Sequence, residues 1–184
     1  MLILVVGPSG AGKDTLLNAA RRALGDDPRF RFVRREITRS AGSGGEAHIE
    51  VDAATFAARR AAGAYALHWE AHGLGYGIPA EIADDLAAGR IVIANVSRTV
   101  IAEAALRFPV RVLEITAPPA VLAERLRGRE RETEAGIALR LARMVALPKG
   151  VESVRISNDA APERAEADFV AALRKRTLVA GTID

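Results

Sequence analysis

An α/β fold, with a mainly parallel sheet flanked by helices on both faces, is predicted by three features of the 184-residue sequence. Strand-length apolar runs alternate with segments of helical periodicity, the pattern of parallel strands joined by crossover helices. The runs are nearly uninterrupted Val, Ile and Leu, as strands buried from both sides require. A glycine-rich turn carrying a lysine separates the first run from the first helical segment, where such sheets bind anions.

The strand candidates are Met1–Val6, Phe30–Arg34, Ala64–Trp69, Arg90–Val96, Val110–Thr116 and Val154–Ser157. Helix signals stand between most of them. Apolar periodicity runs from Leu16 to Leu24, Asp52 caps Ala53–Ala62, Pro79 opens a helix that Gly89 closes, and Ser97 caps Arg98–Arg107. Pro118 or Pro119 opens the next helix, and the last runs from Pro162 to Arg176, leaving Thr177–Asp184 as a tail that frays.

Two stretches break the pattern. Ser40–Glu46 is a Gly/Ser-rich loop, and the short strand candidates after it, Ile49–Val51 and Ala64–Gly77, predict a small antiparallel insertion. Arg125–Arg143 crowds arginines around Arg127-Gly128-Arg129-Glu130-Arg131-Glu132. The alternating signs fit either a solvated helix face laced with ion pairs or a mobile lid that closes arginines over phosphates. One domain over residues 1–184 is expected, with a core of 1–34 and 90–184, an insertion of about 35–89 and a lid of about 125–143.

The turn Gly7-Pro8-Ser9-Gly10-Ala11-Gly12-Lys13-Asp14-Thr15 has a clear physical purpose. Its glycines let backbone N–H groups and the positive end of a helix converge on anionic oxygens, and Lys13 adds a full charge. This predicts a nucleoside triphosphate bound by residues Gly7 to Thr15, with Mg²⁺ beside its phosphates. The match to G-x-x-x-x-G-K-[ST] fails only at its last place, where Asp14 replaces the hydroxyl residue that usually meets the metal. Two readings of Asp14 stand: a ligand to Mg²⁺, directly or through water, or a carboxylate favoured by the helix dipole.

Composition excludes several classes. There is no cysteine, hence no disulfide, thiolate metal site or cysteine nucleophile. No apolar run approaches the ~20 residues of a membrane span, and a phosphate loop starting at residue 7 leaves no room for a secretory leader, so a cytoplasmic protein is expected. Net charge is only +3, and no basic stripe with interleaved aromatics points to nucleic acid. Lys13, Lys149 and Lys175 are the only lysines, so arginine carries the positive charge. That richness fits either composition bias or the bidentate binding of a poly-anionic small molecule.

Over nearly its full length the chain resembles the guanylate kinase superfamily. The matching pieces are Gly7–Lys13, Thr38-Arg39 followed by Glu46, Leu67–Trp69, Tyr76-Gly77, Arg125–Arg143 and Ile156-Ser157-Asn158-Asp159. Within it the chain looks most like the ribose 1,5-bisphosphate phosphokinase branch, on Gly12-Lys13-Asp14-Thr15-Leu16, on Trp69-Glu70-Ala71-His72-Gly73 with Tyr76-Gly77-Ile78-Pro79, and on Ala94-Asn95-Val96-Ser97-Arg98. The resemblance implies phosphoryl transfer from ATP to a phosphorylated ribose, making phosphoribosyl diphosphate in phosphonate breakdown. It makes residues 35–89 the acceptor-binding insertion.

Guanylate kinases carry a serine four residues before the Arg39 position, a glutamate just before the tryptophan and an aspartate pair near residue 96. Arg35, His68 and Asn95 with Ser97 stand there instead. A purine edge would lose its acceptors, at about 1–3 kcal/mol for each unpaired donor. Gly42 replaces a second phosphate-binding arginine, and His48 falls near the place of a phosphate-binding tyrosine.

By resemblance Lys13 stabilises the transferring phosphates, Arg39 holds the acceptor phosphate, and Arg129 and Arg140 clamp the triphosphate, with Arg125 and Arg143 as secondary candidates. Asn158 and Asp159 fall beside the adenine. Acceptor contacts are expected from Arg35, Glu46, His68, Glu70, His72, Tyr76, Asn95, Ser97 and Arg98. Read without the resemblance, Arg35 is equally an exposed strand-end arginine and His68 a buried, satisfied histidine. The rival functions are a guanylate or other nucleoside monophosphate kinase, and a non-catalytic binding module.

Overall fold

The structure is a computed structural model that describes residues 1–40, 47–127, 146–159 and 161–175. The expectations for Glu46, Arg129, Arg140, Arg143 and the C-terminal tail lie outside the described residues.

Five parallel strands make the main sheet, in the order β2-β7-β1-β8-β9. They are β1 (Leu2–Val6), β2 (Phe30–Phe32), β7 (Ile91–Asn95), β8 (Val110–Thr116) and β9 (Glu152–Ser157). Period-two alternation sends Leu2, Leu4 and Val6 of the central strand to one face and Ile3 and Val5 to the other, and all five are buried.

Helices α1 (Lys13–Leu24) and α6 (Pro162–Arg174) cover the Ile3/Val5 face. Leu16, Leu17, Ala20 and Leu24 recur on one side of α1, and Ala165, Phe169 and Leu173 on one side of α6, so each helix has one apolar stripe to bury. Helix α5 (Pro119–Arg127) adds Leu122 to this layer.

The opposite face is covered by α4 (Ile101–Arg107) and by a second sheet of order β4-β3-β6-β5. Its strands are β3 (Glu36–Ile37), β4 (Ile49–Glu50), β5 (Tyr65–Ala71) and β6 (Leu74–Pro79), and helix α2 (Ala53–Ala61) lies against β5 and β6. The β3–β4 pair is parallel and the other two are antiparallel. Asp52 caps α2 as predicted, accepting from the Thr55 N–H at 2.8 Å. The β5–β6 hairpin turns at His72 and Gly73, whose φ values of 54° and 72° are those of a two-residue turn matched to strand twist.

One boundary differs from expectation. Pro79 does not open a helix; it ends β6 opposite Tyr65, and α3 (Ile82–Ala87) starts three residues later. The β3 ladder reaches only Gly77, so the missing proline N–H interrupts no hydrogen bond.

Phe169 is fully buried between α6 and the sheet. Phe169→Ala is expected to lower unfolding free energy by about 3–5 kcal/mol in urea denaturation, through lost transfer energy and a residual cavity.

Candidate active site

The carboxyl ends of β1, β7 and β8 converge where the chain leaves β1 and enters α1, and this is where a parallel sheet exposes a ligand crevice. Gly12 sits at φ 86°, and a Cβ there would stand 2.2 Å from Asn158 Nδ2. Only glycine meets both demands. Asn158, 5% exposed, donates from Nδ2 to the Ala11 carbonyl at 2.8 Å, so the segment after β9 braces the loop from below. Lys13 curls back over the loop, its Nζ donating to the carbonyls of Gly7 at 2.8 Å and Pro8 at 3.0 Å. Arg125, at the end of α5, reaches the Gly10 carbonyl at 3.4 Å. An ammonium and a guanidinium thus stand against the carbonyls of the loop. Asp14 lies in the first turn of α1, and Asn95 at the end of β7 donates from Nδ2 to its Oδ1 at 3.3 Å.

Across the crevice stands the second sheet, whose two faces differ. Trp69 and Tyr76 are direct cross-strand partners with parallel rings, 5.2 Å apart and 4° inclined. The Arg35 guanidinium lies 5.9 Å from the first ring and 5.4 Å from the second, so the three groups form a nearly equilateral triangle. Leu67, Trp69 and Ile78 share an apolar cluster with Val96 and Val100 beyond β7, which puts this face toward the main sheet.

The other face belongs to α2. Phe56 packs on Gly75 and Tyr65 on Gly77, where a Cβ would stand 2.7 Å and 2.4 Å from the respective rings. Glu70 and His68 are the partners of these glycines and project the same way. Glu70 pairs with Arg60 of α2 at 3.1 Å, and His68 is exposed. The structure therefore does not bring His68 and Glu70 to the face that carries Arg35 and Tyr76; strand alternation turns them away. A register shift between Tyr65 and Leu67 puts Tyr65 on that outer face too. There its hydroxyl donates to Glu36 Oε2 at 2.6 Å, while Arg59 meets Oε1 at 3.0 Å. Burial and this acceptor push the Tyr65 hydroxyl above its usual pKa.

The remaining expected contacts divide. Arg39 follows β3, and its Nε is buried without a hydrogen-bond partner among the described residues. His48, 3% exposed, places its Nε2 2.9 Å from the Arg39 carbonyl and so fixes the backbone carrying that arginine. Ser97 caps a 3₁₀ turn, accepting from the Thr99 N–H at 3.3 Å. His72 is exposed at the hairpin tip.

Arg98 is turned to a partner that sequence reasoning missed. Its Nη2 meets Glu114 Oε1 at 2.7 Å, and Arg155 Nε meets Oε2 at 3.1 Å. Glu114 is buried on β8, one place before Ile115, and two guanidinium groups neutralise it. A carboxylate within an apolar strand run was its signal, since a buried charge requires a partner.

Asn158→Ala leaves the Ala11 carbonyl without its donor. The expected result is a loss of about 1–3 kcal/mol in thermal or urea unfolding together with weaker binding of a fluorescent ATP analogue.

Comparison with known proteins agrees with this geometry. A family model described as an AAA domain matches residues 2–152. The ribose 1,5-bisphosphate phosphokinase PhnN of Acidiphilium cryptum is 52% identical over 94% of this chain and 91% of its own length. The enzyme of that name from Brucella melitensis is 51% identical over 80% of this chain and 78% of its own. A bifunctional ribose 1,5-bisphosphokinase-thymidine phosphorylase from Azorhizobium caulinodans is 51% identical over 96% of this chain, which spans 26% of that longer protein. Among solved structures, guanylate kinase from Anaplasma phagocytophilum has a TM-score of 0.69 at 19% identity, covering 95% of this chain and 84% of its own. A gluconokinase from Sinorhizobium meliloti has a TM-score of 0.54 at 18% identity, covering 93% and 90%. The structural likenesses establish the P-loop kinase fold, and the sequence relatives establish the family: the chain belongs to the ribose 1,5-bisphosphate phosphokinases.

Proposed function

We propose that this chain transfers the γ-phosphoryl group of ATP to the 1-phosphate of ribose 1,5-bisphosphate, releasing ADP and 5-phosphoribosyl 1-diphosphate. One observation carries the reading beyond family membership. On the face of the second sheet turned toward the main sheet, Arg35 lies against Trp69 and Tyr76, β5 and β6 place no carboxylate there, and Glu50 stands apart on the exposed edge strand β4, opposite Ile37. Glu36 and Glu70 point to α2, and Glu114 is tied to two arginines.

That arrangement suits the acceptor. A hydroxyl acceptor must surrender a proton to a base, whereas a phosphate is anionic near neutral pH and needs only cations to offset its repulsion from the triphosphate. An oxygen of the 1-phosphate attacks the γ-phosphorus, and the bond from γ-phosphorus to the β–γ bridging oxygen breaks. ADP leaves with that oxygen. Lys13 would exchange the Gly7 and Pro8 carbonyls for β- and γ-phosphate oxygens, while Arg39 holds the acceptor phosphate in line. Arg35, its guanidinium held beside two rings, suits a phosphate oxygen of the same acceptor. Arg125 adds charge on the triphosphate side, where Arg129 and Arg140 are the further candidates.

Mg²⁺ fits this chemistry. No cluster of three acidic or histidine side chains exists among the described residues, and a hard cation at a phosphate loop needs only one or two carboxylates beside phosphate oxygens and water. Asp14 supplies such a carboxylate, and the ion when bound would neutralise charge on the β- and γ-phosphates. None of the described helices is long and apolar enough to cross a membrane.

The test is acceptor choice. With ATP and Mg²⁺, ribose 1,5-bisphosphate is expected to give a far higher kcat/KM than GMP, measured by ADP release. Faster turnover of GMP would reject the assignment. Lys13→Ala should lower kcat by about 10²–10³-fold, as loss of one preorganised charge does.

A further inference from the structure

In phosphate-loop enzymes the metal is commonly shared between a hydroxyl on the loop and a carboxylate on a neighbouring strand. Here both chemistries are displaced. The loop position after Lys13 carries the carboxylate, Asp14, and the adjacent strand ends in a neutral amide, Asn95. These two places face each other: β7 lies beside β1 in parallel register, with Val5 opposite Asn95, and Asn95 Nδ2 stands 3.3 Å from Asp14 Oδ1. The contact joins residues 81 apart in sequence. Asn95 is 4% exposed, so its amide is held by the core, whereas Asp14 is half-buried at the crevice. A donor on one carboxylate oxygen fixes the plane of the group and leaves the other oxygen oriented for a cation.

We propose that Asn95 is a positioning residue for the Asp14 carboxylate, and that the loop and strand have exchanged the anionic and neutral halves of the metal site. Asn95 thereby acts through Asp14 and not on the acceptor sugar. A second carboxylate in place of Asn95 would stand against Asp14 at hydrogen-bond distance, and like charges so close cannot both stay ionised cheaply. The amide is the residue type that permits the carboxylate on the helix. This inference rests on the ATP·Mg²⁺ half of the function proposed above and is independent of the acceptor.

The experiment uses the full chain saturated with a non-hydrolysable ATP analogue, with Mn²⁺ binding followed by electron paramagnetic resonance. Asn95→Ala is expected to weaken Mn²⁺ affinity by about tenfold, the usual scale for loss of an outer-shell partner, while metal-free analogue affinity stays within about twofold. Asp14→Ser should lose at least as much, and the double variant Asp14→Ser with Asn95→Asp should bind Mn²⁺ within a few-fold of the parent, because it rebuilds the ordinary arrangement. Parent-like Mn²⁺ affinity in Asn95→Ala would overturn the proposal. So would equal losses with and without metal, or a double variant no tighter than Asp14→Ser. Preference of the parent enzyme for GMP would reject the acceptor assignment and leave this one standing.

Discussion

A phosphate loop depends on its backbone being held in one shape, and the contacts around residues 7–12 supply that constraint here. The loop occupies residues 7–12, leaves a strand buried on both faces and enters a helix through a left-handed glycine. Its shape is maintained from outside: Asn158 grips the Ala11 carbonyl, and β8 and β9 set the position of Asn158 by their register, Thr116 lying opposite Ser157. A side chain at Gly12 would displace the brace, so loop and brace define each other. Lys13, folded on loop carbonyls, already stands within reach of what the loop would bind.

The second sheet depends on that frame. Its apolar residues complete the cluster on one face of the main sheet, which ties the orientation of Arg35, Trp69 and Tyr76 to the crevice. Its outer face is held by a different set of forces: the rings of Phe56 and Tyr65 lie on two glycines, and Glu36 is shared by Tyr65 and Arg59. Glu36 and Glu70 thus face α2, each paired with an arginine, whereas Arg35 faces the main sheet and Glu50 stands on the exposed edge strand. A guanidinium on that inner face favours an anionic ligand.

Much of this was legible in the sequence because it is local. The loop is a contiguous motif, Asp52 and Ser97 are caps beside the turns they serve, and the strands are continuous apolar runs. Pro79 was misleading, since the same residue opens helices and ends strands and only the β6 ladder decides between them. His68 and Glu70 flank Trp69 in sequence but lie across the sheet from it, a fact hidden without knowledge of which strand face meets the core. The pairings of Asn95 with Asp14, Arg98 with Glu114 and Asn158 with Ala11 join distant segments, and no spacing rule reveals them.

The central claim is that the crevice between the phosphate loop and the second sheet is built for a triphosphate on one side and a sugar carrying two phosphates on the other. Its most direct test is a crystal structure with a non-hydrolysable ATP analogue and ribose 1,5-bisphosphate bound together. The expected result is Lys13 released from the Gly7 and Pro8 carbonyls onto phosphate oxygens, with the sugar phosphates against Arg39 and Arg35. A lysine still seated on its carbonyls, or a sugar bisphosphate bound away from these arginines, would contradict the account.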